Sequence, residues 1–277
     1  MTFTSKLSLS AWPRRIICLT AETTEIVYLL GAGERIVGVS GYSVRPPEAR
    51  EKPKVAAFTS IKIEKIRELN PDLILGFSDL QKQIAHDLIQ EGFPVFITNQ
   101  RSLSEIGDVL LAIGRLIGKP EKAEEIRENF FGELEKLAEG PGPDCCPRVY
   151  FEEWDEPLIS GISWVSELIE RLGGEDIFKE KSLGKTAKDR TVRTEDVIAK
   201  NPDMILASWC GKKVQIEKIK SRPGWDQIKA VKNNKIFEIK SADILQPGPS
   251  LLHGARKISK FFRDFKSLSP RELVDGF

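Results

Sequence analysis

Five residues that follow short runs of β-branched and aliphatic side chains could do chemistry together. They are Tyr42 after Val37-Gly38-Val39, Phe77 after Leu73-Ile74-Leu75, Trp154 after Val149-Tyr150-Phe151, Trp209 after Ile205-Leu206, and Asp243 after Ile236-Phe237-Glu238-Ile239. Phe58 lies on the loop between the second strand and the next helix. In an open α/β sheet, ligands bind beyond the carboxyl ends of the strands. Flat rings at those positions suit a large planar or partly apolar molecule, because each ring stacks broad area at small entropic cost. A ring at any one such position can equally plug the core of its own lobe. Recurrence at equivalent positions favours contact with a ligand, and the chemistry this implies is reversible capture.

Catalytic patterns are missing. The chain contains no GxSxG, GxxxxGK[ST] or HExxH, and no GxGxxG after a strand. Its two histidines, His86 and His253, have no carboxylate at ligand spacing, so no metal site is expected. Cys18, Cys145, Cys146 and Cys210 show no CxxC spacing and read as reduced thiols. Neither a catalytic residue nor a catalytic cofactor is expected. An alternative of another class is an enzyme or accessory factor using Glu152, Glu153, Asp155 and Asp243 for acid/base work or metal capture.

The balance of 42 basic and 41 acidic residues, a net charge of +1, offers no field for gathering nucleic acid. No stretch approaches the roughly 20 apolar residues that span a bilayer, so no membrane insertion is expected. Met1 to Trp12 lacks the roughly seven consecutive apolar residues of a signal peptide, which favours a cytoplasmic protein. A monomer is expected.

The elements that must position these residues alternate short apolar strands with helical segments from Arg15 onward, the βαβα rhythm of a parallel sheet covered by helices. The pattern predicts a helix at Asp79 to Gln90. A longer helix after Gly118-Lys119-Pro120 repeats Ala123, Ile126, Phe130, Leu134 and Leu137 on one face until Gly140-Pro141-Gly142-Pro143 breaks it. Four segments are expected: an N-terminal extension over 1–14, an α/β lobe over 15–117, an inter-lobe spine helix over 118–140, and a second α/β lobe over 141–277. A rigid spine would limit closure to small angles.

The halves also repeat each other. Glu64-Lys65-Ile66-Arg67-Glu68-Leu69-Asn70-Pro71-Asp72-Leu73-Ile74-Leu75 aligns without gaps to Glu195-Asp196-Val197-Ile198-Ala199-Lys200-Asn201-Pro202-Asp203-Met204-Ile205-Leu206. The copies share the Glu, the Asn-Pro-Asp and the Ile-Leu. In each, a helix opening at a glutamate stops at Asn, because the following proline disfavours helical geometry before it. A weaker echo pairs Leu30-Gly31-Ala32-Gly33-Glu34-Arg35-Ile36 with Leu172-Gly173-Gly174-Glu175-Asp176-Ile177. Two similar Rossmann-like lobes with parallel sheets, joined by one long rigid helix with a ligand cleft between them, are the expected fold.

On these motifs, with Gly38-Val39-Ser40-Gly41-Tyr42-Ser43 and Ala242-Asp243 ahead of Pro247-Gly248-Pro249, the chain resembles the metal-chelate substrate-binding proteins of ABC transporters, in their cobalamin-binding branch. The resemblance spans about Arg15 to Phe262 and implies a corrinoid ligand. It implies that Tyr42, Phe58 and Phe77 match the N-lobe aromatics that pack on the corrinoid, the latter two positions being commonly Trp. It further implies that Trp154 and Trp164 line the cleft from C-lobe loops and that Asp243 is a C-lobe carboxylate near the ligand. The family's following arginine is absent, with Gln246 in that region. Haem or a ferric siderophore is the alternative ligand of the same fold, with Arg45 or Lys185 answering its charge. The resemblance also implies docking to a permease through Glu64 and Glu195, and a periplasmic site of action if the family's usual role holds.

Overall fold

The computed structural model describes residues 12–139 and 146–268. Most of the expected N-terminal extension, the Gly-Pro breaker and Cys145 lie outside the described residues. Two compact units divide the chain. The first runs to Phe131 and includes Gln246–Ser250; the second takes up at Gly132, runs to Leu245 and resumes at Leu251.

In the first unit the elements run β1 (Ile16–Cys18), α1 (Ala21–Leu29), β2 (Ile36–Ser40), β3 (Lys54–Ala57), β4 (Ser60–Ile61), α2 (Ile63–Leu69), β5 (Leu73–Phe77), α3 (Lys82–Gln90), β6 (Val95–Thr98), α4 (Leu103–Leu116) and the start of α5 (Pro120–Ala138). The sheet order is β4-β3-β2-β1-β5-β6, parallel except for β4. Alternation along the strands gives the sheet two covered faces. Ile16, Cys18, Leu73 and Leu75 pack with Ile26 and Val27 of α1 and with Leu110 and Ile113 of α4. Ile17, Leu19 and Ile74 pack with Ile66 of α2 and with Ile84 and Leu88 of α3.

The second unit contains β7 (Arg148–Asp155), β8 (Leu158–Ser160), α6 (Ser163–Arg171), β9 (Glu175–Asp176), α7 (Lys179–Ser182), α8 (Thr194–Lys200), β10 (Met204–Ala207), α9 (Ile216–Lys220), α10 (Lys229–Lys232), β11 (Ile236–Glu238), α11 (Ser241–Ile244) and α12 (Leu251–Leu268). Its sheet runs β11-β10-β7-β8, with β9 also on β7; all pairings are parallel except β7 with β8.

The sequence repeat is a structural one. Ile17 pairs with Ile74 and Ile74 with Val95 in the first sheet; Tyr150 pairs with Ile205 and Ile205 with Ile236 in the second. Asn70 and Asn201 both end their helices in the left-handed region, at φ 43°, a conformation Asn tolerates better than most residues. The following Asp then clamps the first strand of its sheet. Asp72 accepts the backbone N–H groups of Arg14 and Arg15, each at 2.8 Å, and Asp203 accepts that of Arg148 at 3.1 Å. The guanidinium groups of Arg15 and Arg148 donate to helix-end carbonyls, Leu69 and Lys200 respectively. The weaker echo is real as well. Gly31 at φ 71° and Gly173 at φ 90° close α1 and α6, with Ala32 N–H donating to Val27 and Gly174 N–H to Ile169.

Two expectations are adjusted. The helix expected from Asp79 begins as a 3₁₀ turn, Asp79–Gln81, because Ser78 turns the chain at φ 86°. The last helix continues past Phe262 to Leu268. The two units part inside α5: Phe131 lies over Gly107 and Arg127, whereas Glu133 pairs with Arg256 and the Leu137 carbonyl accepts from Ser259.

Candidate functional site

Because β1, β2, β3, β5 and β6 run parallel, their carboxyl ends share one edge of the first sheet. That edge gathers Thr20 and Glu22 after β1, Tyr42 after β2, Phe58 after β3, Phe77 at the end of β5, and Asn99 and Gln100 after β6. Tyr42 is 57% exposed. Its loop is anchored from beneath, where Gly41 N–H donates to the Ala56 carbonyl and the Ser43 hydroxyl lies 2.8 Å from that of Thr24. Phe58 is half-buried. Phe77 is only 5% exposed, with the Arg101 guanidinium 5.8 Å from its ring centre.

Glu22, on the first turn of α1, is 3% exposed, and its Oε1 has no hydrogen-bond partner. Burial pushes its carboxyl up from 4.5 to about 7. Gly248 packs over it so closely that an added Cβ would sit 2.9 Å from the Glu22 Cβ. Nearby, Gln100 donates to the Pro247 carbonyl at 3.2 Å, so the Gln246–Ser250 segment is fastened to this unit. Gln246 opens that segment, half-buried.

In the second unit the expectation that Trp154 follows a strand is corrected. β7 outruns its parallel pairing with β10 and enters an antiparallel pairing with β8, in which Trp154 faces Ile159. The expectation for Phe77 is corrected likewise: it is the last residue of β5, paired with Thr98. Trp154 is half-buried and its indole donates to the Glu156 carbonyl. Trp164 and Trp209 are each 2% exposed. Their indole N–H groups are spent internally, on the Ile244 carbonyl and on Glu152, both at 3.0 Å. The Lys212 ammonium lies 4.0 Å from the Trp154 ring centre and 4.8 Å from that of Trp209, so a cation already sits against both rings.

The four carboxylates raised as acid/base candidates each hold a cation. Glu152 takes Arg222, Glu153 takes both terminal nitrogens of Arg190, Asp155 takes Lys212 and Lys218, and Asp243, 4% exposed on α11, takes Lys257 at 2.7 Å. Burial pushes the Glu152 carboxyl up despite Arg222. Burial also pushes Asp155 up, but the hydrogen bonds from Lys212 and Lys218 outweigh it and hold that carboxyl below its ordinary range. Such pairs set each of these carboxylates against a fixed cation. Among the described residues no group of three or more His, Cys, Asp or Glu side chains gathers as a metal site, and no helix is long and apolar enough to cross a membrane.

Glu64 and Glu195 occupy the same place on α2 and α8, both exposed, and Glu64 pairs with Arg67 at 2.6 Å. Sequence reasoning missed Glu22, Lys212 and Gln81, the buried amide below Phe77. A signal for Gln81 existed, since an isolated glycine inside a strand, here Gly76, marks the close approach of another group.

A family model described as periplasmic binding protein matches residues 16–242. The vitamin B12-binding protein of Vibrio cholerae is 28% identical over 254 residues, covering 90% of this chain and 89% of that protein. Two solved structures are similar. One is a possible iron-binding (periplasmic solute-binding) protein from Staphylococcus epidermidis, at TM-score 0.78 and 27% identity over 92% of this chain and 98% of that one. The other is the periplasmic vitamin B12-binding protein of Vibrio cholerae, at TM-score 0.74, with the same identity and coverage.

Proposed function

Because this chain belongs to the periplasmic binding protein family, we propose that it captures a corrinoid, cobalamin or a close relative, and releases it chemically unchanged. The observation that carries this reading is the carboxyl edge of the first sheet, where exposed Tyr42 follows β2 and half-buried Phe58 follows the neighbouring β3. Trp154 offers a further half-buried ring in the second unit. The similarity to vitamin B12-binding proteins across nine-tenths of the chain supports the corrinoid. Calorimetric titration with cyanocobalamin and cobinamide tests it. A saturable heat with quenching of tryptophan emission is expected; no heat at high micromolar ligand overturns the assignment.

A second reading, an iron chelate or haem, is favoured by the cations Arg101 and Lys212 lying against Phe77 and Trp154, and by the similarity to a protein titled possible iron-binding. Exposed Lys185 and half-buried Arg45 are further cations for such a ligand. Absorption spectra of protein purified from its own host separate the two ligands.

Delivery to an ABC permease completes the proposal, with the exposed carboxylates Glu64 and Glu195 meeting basic residues of the partner. Charge reversal, Glu64→Lys with Glu195→Lys, is expected to weaken permease binding while ligand affinity holds. Unchanged permease binding removes these two residues from the interface.

A further inference from the structure

Resting on the reading above, we infer that Gln81 is the positioning residue that fastens the turn carrying Phe58 to the end of β5 at Phe77, so that the Phe58 ring is held in place for ligand binding. Gln81 is fully buried and spends both ends of its amide on these two residues. Its Nε2 donates to the Phe58 carbonyl at 2.8 Å, and its Oε1 accepts the Phe77 N–H at 3.2 Å. β3, which leads into Phe58, is separated from β5 by both β2 and β1. At about 4.8 Å per strand step the two strands lie roughly 14 Å apart. For one side chain to touch both residues, the turn after β3 has to lean back across the carboxyl ends of β2 and β1, and Gln81 holds it there.

The surrounding chain is shaped to present this amide. Ser78 adopts φ 86° and ψ 149°, a conformation non-glycine residues rarely hold, while its N–H donates to the Thr98 carbonyl at 2.7 Å. The turn it makes returns Gln81, whose N–H donates to the Ser78 carbonyl at 2.9 Å, beneath the end of β5. Residue 76 is glycine, since a Cβ there would lie 2.5 Å from Gln81 Oε1 and 2.6 Å from Ile97 Cδ1. Strained turn, glycine and buried amide thus serve one placement.

The test uses the full chain with Gln81→Met, Gln81→Glu and Phe58→Ala, read by amide exchange and by titration with cyanocobalamin and haemin. Gln81→Met is expected to speed exchange at Phe77 and in the turn around Phe58. It is also expected to weaken binding about tenfold, and to add nothing once Phe58→Ala is present. In Gln81→Glu the protonated carboxyl can restore both bonds, so its affinity relative to the native chain at the same pH rises as pH falls. Unchanged exchange in Gln81→Met, or losses that simply add to those of Phe58→Ala, overturns the inference. If the native chain binds neither probe, the ligand reading falls, and the exchange data alone decide whether Gln81 holds the turn around Phe58 against the end of β5.

Discussion

Arg222 sets its two terminal nitrogens 2.5 and 3.0 Å from the carboxylate oxygens of Glu152, a side chain that is 0% exposed. The same carboxylate accepts the Trp209 indole N–H, and the guanidinium lies 4.4 Å from the Trp225 ring centre. Removing one partner strands a buried charge. Arg222→Ala is therefore expected to cost about 3–5 kcal/mol of stability. The pair Arg222→Met with Glu152→Gln is expected to cost clearly less, because no charge is then left behind. Urea unfolding followed by tryptophan emission measures both; equal losses would contradict the account.

Glu22 makes stability depend on pH. Its folded carboxyl titrates at about 7 against an ordinary 4.5, so the native state favours the neutral form. The stabilisation is fully present below the ordinary value and is lost as pH rises through the folded value. At about 1.4 kcal/mol per unit the total is on the order of 3 kcal/mol. Glu22→Gln is expected to flatten the profile and to be the more stable chain at pH values above both titrations. Parallel denaturant midpoints across that range for both chains are the check.

Burial separates rings that hold the fold from rings that can meet a ligand. Phe77→Ala, at 5% exposure, is expected to destabilise by about 3–5 kcal/mol. Tyr42→Ala, at 57% exposure, is expected to stay within about 0.5 kcal/mol of the native chain. The Tyr42 change should nevertheless weaken the ligand by about tenfold through loss of a stacking face. Thermal melts and titrations of the two variants, run together, decide this; a large melting loss in Tyr42→Ala would contradict it.

Asp72 is expected to matter more than a half-buried loop carboxylate usually does, since it clamps two backbone N–H groups at the entrance to β1. Asp72→Ala should cost about 1–3 kcal/mol, and Asp72→Asn less, because the amide keeps one acceptor oxygen. Chemical denaturation of both variants tests the order.

Much of the architecture was legible because it rests on local rules. Asn-Pro-Asp stops a helix wherever it occurs, and its two copies announced two sheet units whose strand registers prove equivalent, Ile74 answering to Ile205. The hydrophobic runs foretold which strands are buried on both faces. The rings were harder to read. Phe77 and Trp209 have the right chemical type at the right end of their strands, yet the first closes β5 and the second points its indole at Glu152. Strand length and side-chain direction depend on neighbours distant in the chain, which spacing alone does not carry.

By itself, then, the sequence determined two α/β units, the helix that runs from one into the other, and a set of aromatic side chains delivered to strand ends. Periodicity and turn chemistry act over a few residues and leave a direct imprint on the order of residue types. Only the tertiary structure decided which rings stay exposed, which carboxylates are neutralised by Arg190, Arg222, Lys212, Lys218 and Lys257, and that the Gln246–Ser250 segment packs with the first unit over Glu22. Those outcomes follow from burial and from ion pairs between residues far apart in the chain, whose partners exist only once the sheets have formed.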